Sequence, residues 1–372
     1  MSLKKILPET ERLRLGESCL RLFASVDLEG STAFKQSQSH RQHQAWLPVV
    51  IDFFESFDGG FWPHINECAR AAGVTVPEKP TVWKILGDEL VFTMKLGSGR
   101  DAVIYVDALT KTVADWNQGV MERRKTGQGP VRPLLAKAAA WLAGFPVTNA
   151  VLPVEGNHDD YVGPSMDAGF RVTKLATPRR LALSVELAWL LLSLKRHALH
   201  IEFAGRVREL KGIAADSGYP QLWIEVPASA YHAKEHAVLG PLRRAIPPAS
   251  LLDLCACFLA DFGVPPHPPH ILGDPDFPAP LRYDEQLTEA QADLVVRYPD
   301  VVPLERAEST AVPRSGNALL DALLAGVNAF AQTALKAQQT APPRAALQAP
   351  KSKAIAQSTP TPPAPKKKPR KS

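Results

Sequence analysis

Two short segments constrain this chain more than any other part of it. One is Leu22-Phe23-Ala24-Ser25-Val26-Asp27-Leu28-Glu29-Gly30-Ser31-Thr32, and the other is Val82-Trp83-Lys84-Ile85-Leu86-Gly87-Asp88-Glu89. Short apolar runs that stop at turn residues read as strands, and each of these delivers one carboxylate to its turn. Strands distant in sequence become neighbours in a sheet, so Asp27 and Asp88, 61 positions apart, are expected side by side. A pair of carboxylates so placed suits hard divalent cations. Gly30-Ser31-Thr32 adds a turn whose free backbone N–H groups suit phosphate oxygens at a helix start. Taken alone, either segment reads more simply as a strand ending in a solvated Asp, with Ser31 and Thr32 as helix caps. Metal and phosphate chemistry follows from the two together.

The rest of the chain sets bounds on that reading. With 372 residues and 45% hydrophobic content there is material for one large domain with a substantial core. No run approaches the length of an uncharged membrane span, and Met1-Ser2-Leu3-Lys4-Lys5-Ile6 lacks the apolar stretch of a signal peptide, so a soluble cytoplasmic protein is expected. Cys19, Cys68, Cys255 and Cys257 show neither a disulfide framework nor paired zinc spacing and read as core thiols. The formal charge of +5 belongs to the C-terminus, where nine Lys and Arg residues follow Asp321 without an acid; the remainder holds 34 basic and 38 acidic residues. From about Ala341 the Pro-, Ala- and Lys-rich composition predicts disorder, a solubilising tail rather than a nucleic-acid patch.

Along the body, Leu20–Val26 reads as a central strand and His43–Phe54 as a helix. Trp83–Thr93 reads as a hairpin bent at Gly87-Asp88, Ile104–Trp116 as a helix, and Leu134–Leu142 as a strand. Pro178–Lys195 reads as a helix whose apolar surplus must pack on the sheet or on a second subunit. Pro247-Pro248 and the run Pro265-Pro266-His267-Pro268-Pro269-His270 read as loops and linkers, the two histidines being surface residues rather than metal ligands.

These segments resemble the catalytic domain of class III nucleotidyl cyclases, the adenylate and guanylate cyclase family. That family has a strand ending Phe-x-Asp-hydrophobic-x-Gly and a hairpin with Lys-x-hydrophobic-Gly-Asp, matched here by Asp27 and Asp88, with Ser25 in the Phe position. Asp160-Tyr161-Val162-Gly163-Pro164-Ser165-Met166-Asp167-Ala168-Gly169-Phe170-Arg171 is similar to the family's Asp-x-x-Gly-x-x-Val-Asn-x-Ala-x-Arg, and Leu210-Lys211-Gly212 to its Leu-Lys-Gly strand. The sequence departs from the pattern at Asp167, where the family has Asn, and in the long Asp27–Asp88 interval, whose excess is expected between Gly59 and Pro80.

The resemblance implies an α+β, ferredoxin-like cyclase domain over residues 18–228. Residues 1–17 would be an N-terminal extension, 229–335 a mostly helical linker segment and 336–372 the disordered basic tail. It further implies two cations, Mn2+ or Mg2+, on Asp27, Asp88 and the Leu28 carbonyl, with the triphosphate on Gly30, Ser31 and Thr32. Arg171 would meet charge at the α-phosphate and Lys211 the leaving phosphates, across a homodimer with shared active sites. Lys84 and Asp160 fall at the base-reading positions, a donor and an acceptor that adenine, cytosine and uracil all satisfy. Asp167 and the lack of a sensor domain look most like the pyrimidine cyclases of bacterial anti-phage Pycsar systems, whose cyclic nucleotide acts on a separate effector. UTP is the favoured nucleoside triphosphate, with an adenylate cyclase, or a non-catalytic nucleotide-binding protein on this scaffold, as the alternatives. Neither nucleic acid nor membrane is an expected partner.

Overall fold

Strand β1 (Cys19–Leu28) organises the molecule because its residues alternate between two faces, one buried throughout and the other buried at Phe23 and Ser25. Leu20, Leu22, Ala24, Val26 and Leu28 enter one large apolar core, while Phe23 enters a separate aromatic cluster on the opposite side. This chain is described from a computed structural model, over residues 18–37, 46–127, 133–154, 158–194, 199–207, 210, 213, 218–227, 234–235, 237–238 and 246–297. The expected N-terminal extension, Lys211 and the basic tail from residue 336 lie outside the described residues.

A seven-stranded sheet runs in the order β2-β3-β1-β4-β7-β9-β8. Its members are β2 (Thr81–Leu86), β3 (Glu89–Lys95), β4 (Ala136–Phe145), β7 (Arg180–Leu183), β8 (Ile201–Val207) and β9 (Tyr219–Glu225), with β1 third in the order. β4 and β7 are parallel and the other pairings are antiparallel. A separate hairpin joins β5 (Ala150–Val154) to β6 (His158–Val162). After β1 come the short helix α1 (Ser31–Gln36) and the long α2 (Leu47–Ala72); α3 (Gly99–Lys125) follows β3. The first four strands with α2 and α3 make a strand-helix-strand, strand-helix-strand pattern in the order β2-β3-β1-β4, an α+β core of ferredoxin-like form.

The helices cover the even-numbered face of β1. Phe53, Phe57, Phe61 and Ile65 of α2 and Tyr105, Leu109 and Val113 of α3 are all buried there. Ala138 and Ala140 of β4 face the same core, and their small side chains let the helices approach closely. α3 begins with a reciprocal capping box between Ser98 and Asp101. It is fixed to the sheet by the buried Asn117, which donates to the carbonyls of Ala136 (3.0 Å) and Pro178 (3.2 Å) and accepts from the Ala136 N–H (2.7 Å).

Three regions differ from the sequence reading. The interval from Gly59 continues α2 as far as Ala72, through Pro63, because Phe61, Ile65 and Cys68 still point into the core. Arg180–Leu183, expected as the start of a helix, is strand β7, which pairs with β4 on one side and β9 on the other. The helix begins only after Ser184, whose hydroxyl accepts from the Leu187 N–H. That helix, α5 (Val185–Ser193), buries its apolar surplus within this chain, where α6 (Pro248–Phe262) packs against it. Residues Cys255, Phe258, Leu259, Ile271 and Phe277 extend the same core, so the segment after β9 packs on the domain instead of trailing from it. His267 and His270 are half-buried, with ring centres 6.0 Å apart, and line a cavity of about 50 Å³ with Leu20, Gly144, Glu186 and Tyr283. The last described helix, α7 (Tyr283–Arg297), follows. No described helix is long and apolar enough to cross a membrane.

Candidate active site

The odd-numbered face of β1 carries Asp27, the first of the expected site residues. On this side Phe23, Trp83, Trp141, Phe145, Tyr161 and Met166 form the aromatic cluster, with Phe170 packed against it. Phe23 stacks on Trp141 at 5.7 Å, and Tyr161 from the β5–β6 hairpin meets Phe23 edge-on at 5.2 Å. Beyond this cluster, towards the C-terminal end of β1, the same face becomes polar at Ser25 and Asp27. Ser25 is buried and donates a short hydrogen bond to Glu89.

Asp27 and Asp88 do meet. Asp27 is next to last in β1, and Asp88 lies in the β2–β3 turn, where Gly87 takes a left-handed conformation (φ 73°). Because β1 and β3 are paired neighbours, the turn brings the two carboxyls close enough that each alters the other's proton affinity. Burial pushes the Asp27 carboxyl up to about 6, against the pull of the Lys137 ammonium, and the neighbouring Asp88 adds to the rise. Burial also pushes Asp88 up, but hydrogen bonds from Lys35 and Ser31 and the sharing of a proton with Asp27 carry it below the usual carboxylate range. The pair therefore gives up its last proton, from Asp27, near pH 6, and above that both acids are ionised.

Two lysines complete this corner, and the sequence reading had not singled out either. Lys137 is the cross-strand partner of Asp27 on β4 and lies 3.1 Å from its Oδ2. Lys35, in the last turn of α1, lies 2.6 Å from Asp88 Oδ1. A lone charge in the run Ala136-Lys137-Ala138-Ala139-Ala140 was the available signal for Lys137, since a lysine there needs a partner or an exit from the core. α1 opens at Gly30 in the left-handed region (φ 79°), with Ser31 buried beneath it and Thr32 exposed.

The donor set suits a hard cation. Asp88 Oδ2 is buried and without a hydrogen-bond partner, beside a second carboxyl, and Leu28 supplies a carbonyl at the strand end. Among the described residues no three His, Cys, Asp or Glu side chains gather to hold a metal, so an ion here would take further ligands from phosphate oxygens or water.

The other expected site residues lie on neighbouring elements. A register shift between Val82 and Lys84 in β2 places both Trp83 and Lys84 on the aromatic side, and Lys84 Nζ sits 4.5 Å from the Trp83 ring centre. Lys84 pairs with Asp160 of β6 at 2.6 Å, so the expected donor and acceptor are brought together. Helix α4 (Pro164–Val172) carries Asp167 in its first turn and Arg171 in its last, Asp167 exposed and Arg171 half-buried, with no ion pair between them. Its approach to β4 depends on Gly169, where a Cβ would lie 2.3 Å from the Trp141 ring. Gly163, at φ 141°, starts the helix against Asn149, which accepts from the Ser165 N–H at 3.1 Å and donates to the Gly144 carbonyl at 2.8 Å.

No protein-family model matches this chain, and no curated protein matches it in sequence. Among solved structures, the adenylyl cyclase CyaB from P. aeruginosa is similar at 14% identity and a TM-score of 0.40, covering 57% of this chain and 97% of that one. The guanylate cyclase domain of RhGC from Catenaria anguillulae, in complex with GTP, is similar at 12% identity and a TM-score of 0.36, with 57% and 100% covered. An adenylate cyclase from Trypanosoma brucei in its monomeric state is similar at 13% identity and a TM-score of 0.37, with 57% and 91% covered.

Proposed function

We propose that this chain is a nucleotidyl cyclase that converts a pyrimidine nucleoside triphosphate, UTP above all, into its 3′,5′-cyclic nucleotide and pyrophosphate. The observation that carries the reading is the convergence of Asp27 and Asp88, with Asp88 Oδ2 buried and without a hydrogen-bond partner. Divalent cations, two of Mn2+ or Mg2+, would supply charge at the ribose 3′-hydroxyl and the triphosphate when bound to Asp27, Asp88 and the Leu28 carbonyl. The residues of the chain do the rest. Gly30, Ser31 and Thr32 turn backbone N–H groups towards phosphate oxygens at the start of α1. Arg171 meets charge developing at the α-phosphate as the 3′-oxygen attacks and pyrophosphate departs. Lys211, outside the described residues, holds the leaving phosphates.

Lys84 and Asp160 read the base as one donor and one acceptor, which uracil, cytosine and adenine satisfy; guanine fits less readily, since the guanylate cyclase pattern has a carboxylate where Lys84 stands. Asp167 faces a sugar hydroxyl or the partner protomer in place of an amide. The two carboxylates serve one site and Arg171 of the partner protomer completes it, so a homodimer has two equivalent sites. In this reading the cyclic product is a second messenger of anti-phage defence and acts on a separate effector.

Incubating the purified protein with each of the four NTPs and Mn2+, and resolving products by chromatography, tests this. Cyclic UMP or cyclic CMP with equimolar pyrophosphate is expected. Turnover of ATP alone would overturn the pyrimidine assignment, and no cyclic product from any NTP would overturn the enzyme.

A further inference from the structure

Each acid of the Asp27–Asp88 pair already faces a cation that belongs to the protein. Lys35 Nζ is 2.6 Å from Asp88 Oδ1 and Lys137 Nζ is 3.1 Å from Asp27 Oδ2. The lysines come from unrelated elements, the end of α1 and the start of β4, and reach the pair from different directions. None of the four side chains is more than 31% exposed, so water screens these charges less than it would on an open surface. Two ammoniums balance two carboxyls, leaving a corner of little net charge, whereas a cation site needs net negative charge. A divalent ion entering between the acids would meet two like charges within a few ångströms, and each repels it strongly in so sheltered a place.

Lysine suits a changeable role of this kind. Its ammonium is a compact charge on a flexible stem, it binds phosphate as readily as carboxylate, and it can swing without disturbing the backbone that carries it. Lys35 lies one helical turn beyond Gly30-Ser31-Thr32, so a triphosphate on that turn offers oxygens close to its reach.

We propose that Lys35 and Lys137 are resident counter-ions that keep the Asp27–Asp88 pair closed to divalent cations until a nucleoside triphosphate binds and draws the ammoniums onto phosphate oxygens. This rests on the metal-pair reading above and adds to it an ordered dependence. Metal binds weakly to the free protein and well only with nucleotide, and by reciprocity nucleotide binds better with metal. Lysines of purely structural purpose would hold the fold together and leave metal affinity alone.

The test is Mn2+ binding to the full chain without nucleotide, read by the electron paramagnetic resonance of free Mn2+. Lys35→Met and Lys137→Met, both checked for folding by circular dichroism, are expected to bind Mn2+ at least about tenfold more tightly than wild type, a gain of about 1.4 kcal/mol. Lys35→Arg, which keeps the charge, is expected to stay near wild type. Unchanged or weaker Mn2+ affinity in both Met variants would overturn the inference, as would the absence of binding in every variant. Failure of the underlying reading looks different: Asp27→Asn would then bind Mn2+ as well as the protein with Asp27 intact.

Discussion

At the scale of single residues, the burial of Asp27 works against the fold once its carboxyl is ionised. Its carboxyl has a proton affinity near 6 in the folded chain, against 3.8 in an unfolded one, because burial outweighs the help of Lys137. Between those values the folded state holds more protons than the unfolded state, so the contribution of Asp27 to stability is present below about pH 4 and is lost as the pH rises through about 6. Asp27→Asn is therefore expected to raise the melting temperature at pH 7.5 in the absence of metal, measured by calorimetry, while lowering cyclisation by at least about a hundredfold. A fall in melting temperature would show that the Lys137 pairing outweighs burial. On the proposed cation site, the same proton would set the pH dependence of metal binding. A cation competes with it for Asp27, so Mn2+ affinity is expected to fall as the pH drops through about 6, as titration calorimetry at several pH values would show.

At the scale of elements, the site depends on how two helices are fastened to β4. Asn117 ties α3 to the backbone of Ala136, the residue before Lys137, and Asn117→Ala strands the Ala136 N–H and two carbonyls in the core. A loss of about 2–3 kcal/mol in urea unfolding is expected. On the other face, Gly169→Val pushes α4 off Trp141 and carries Arg171 with it. Turnover is expected to fall about a hundredfold while Mn2+ binding at Asp27 and Asp88 is retained, which separates the arginine's role from the metal's. Loss of both together would mean that the substitution disturbs the whole sheet.

What the sequence disclosed divides along the same line. β1, the β2–β3 hairpin and β4 were legible because alternation and the Gly87 turn are local signals, and three of the four motifs pointed to Asp27, Asp88, Lys84 and Asp160. The four-residue β7 was not, since it runs directly into an apolar helix and only pairing with β4 and β9 makes it a strand. Gly59, Gly60 and Pro63 disguised the length of α2, which is held helical by the aromatic residues packed beneath it. Lys35 and Lys137 escaped notice because a lysine's partner is set by register and by the path of the chain, neither of which a linear pattern reveals.

At the scale of the whole molecule, the proposed homodimer takes the acids of each site from one protomer and Arg171 from the other. An equal mixture of Asp27→Asn and Arg171→Ala protomers is expected to recover about a quarter of wild-type turnover after subunit exchange, since half the dimers then contain one intact site of two. Continued inactivity of a mixture shown by native mass spectrometry to have exchanged would place both groups in the same protomer's site.

Asp88 is the decisive residue, because its unpartnered Oδ2 is the most direct sign of a cation site. Rates of cyclic nucleotide formation from UTP should be compared for wild type and Asp88→Asn at saturating Mn2+, with circular dichroism showing equal folding. The prediction is cyclic UMP from the wild type and at least about a hundredfold less from the variant. Equal rates from the two proteins would contradict it.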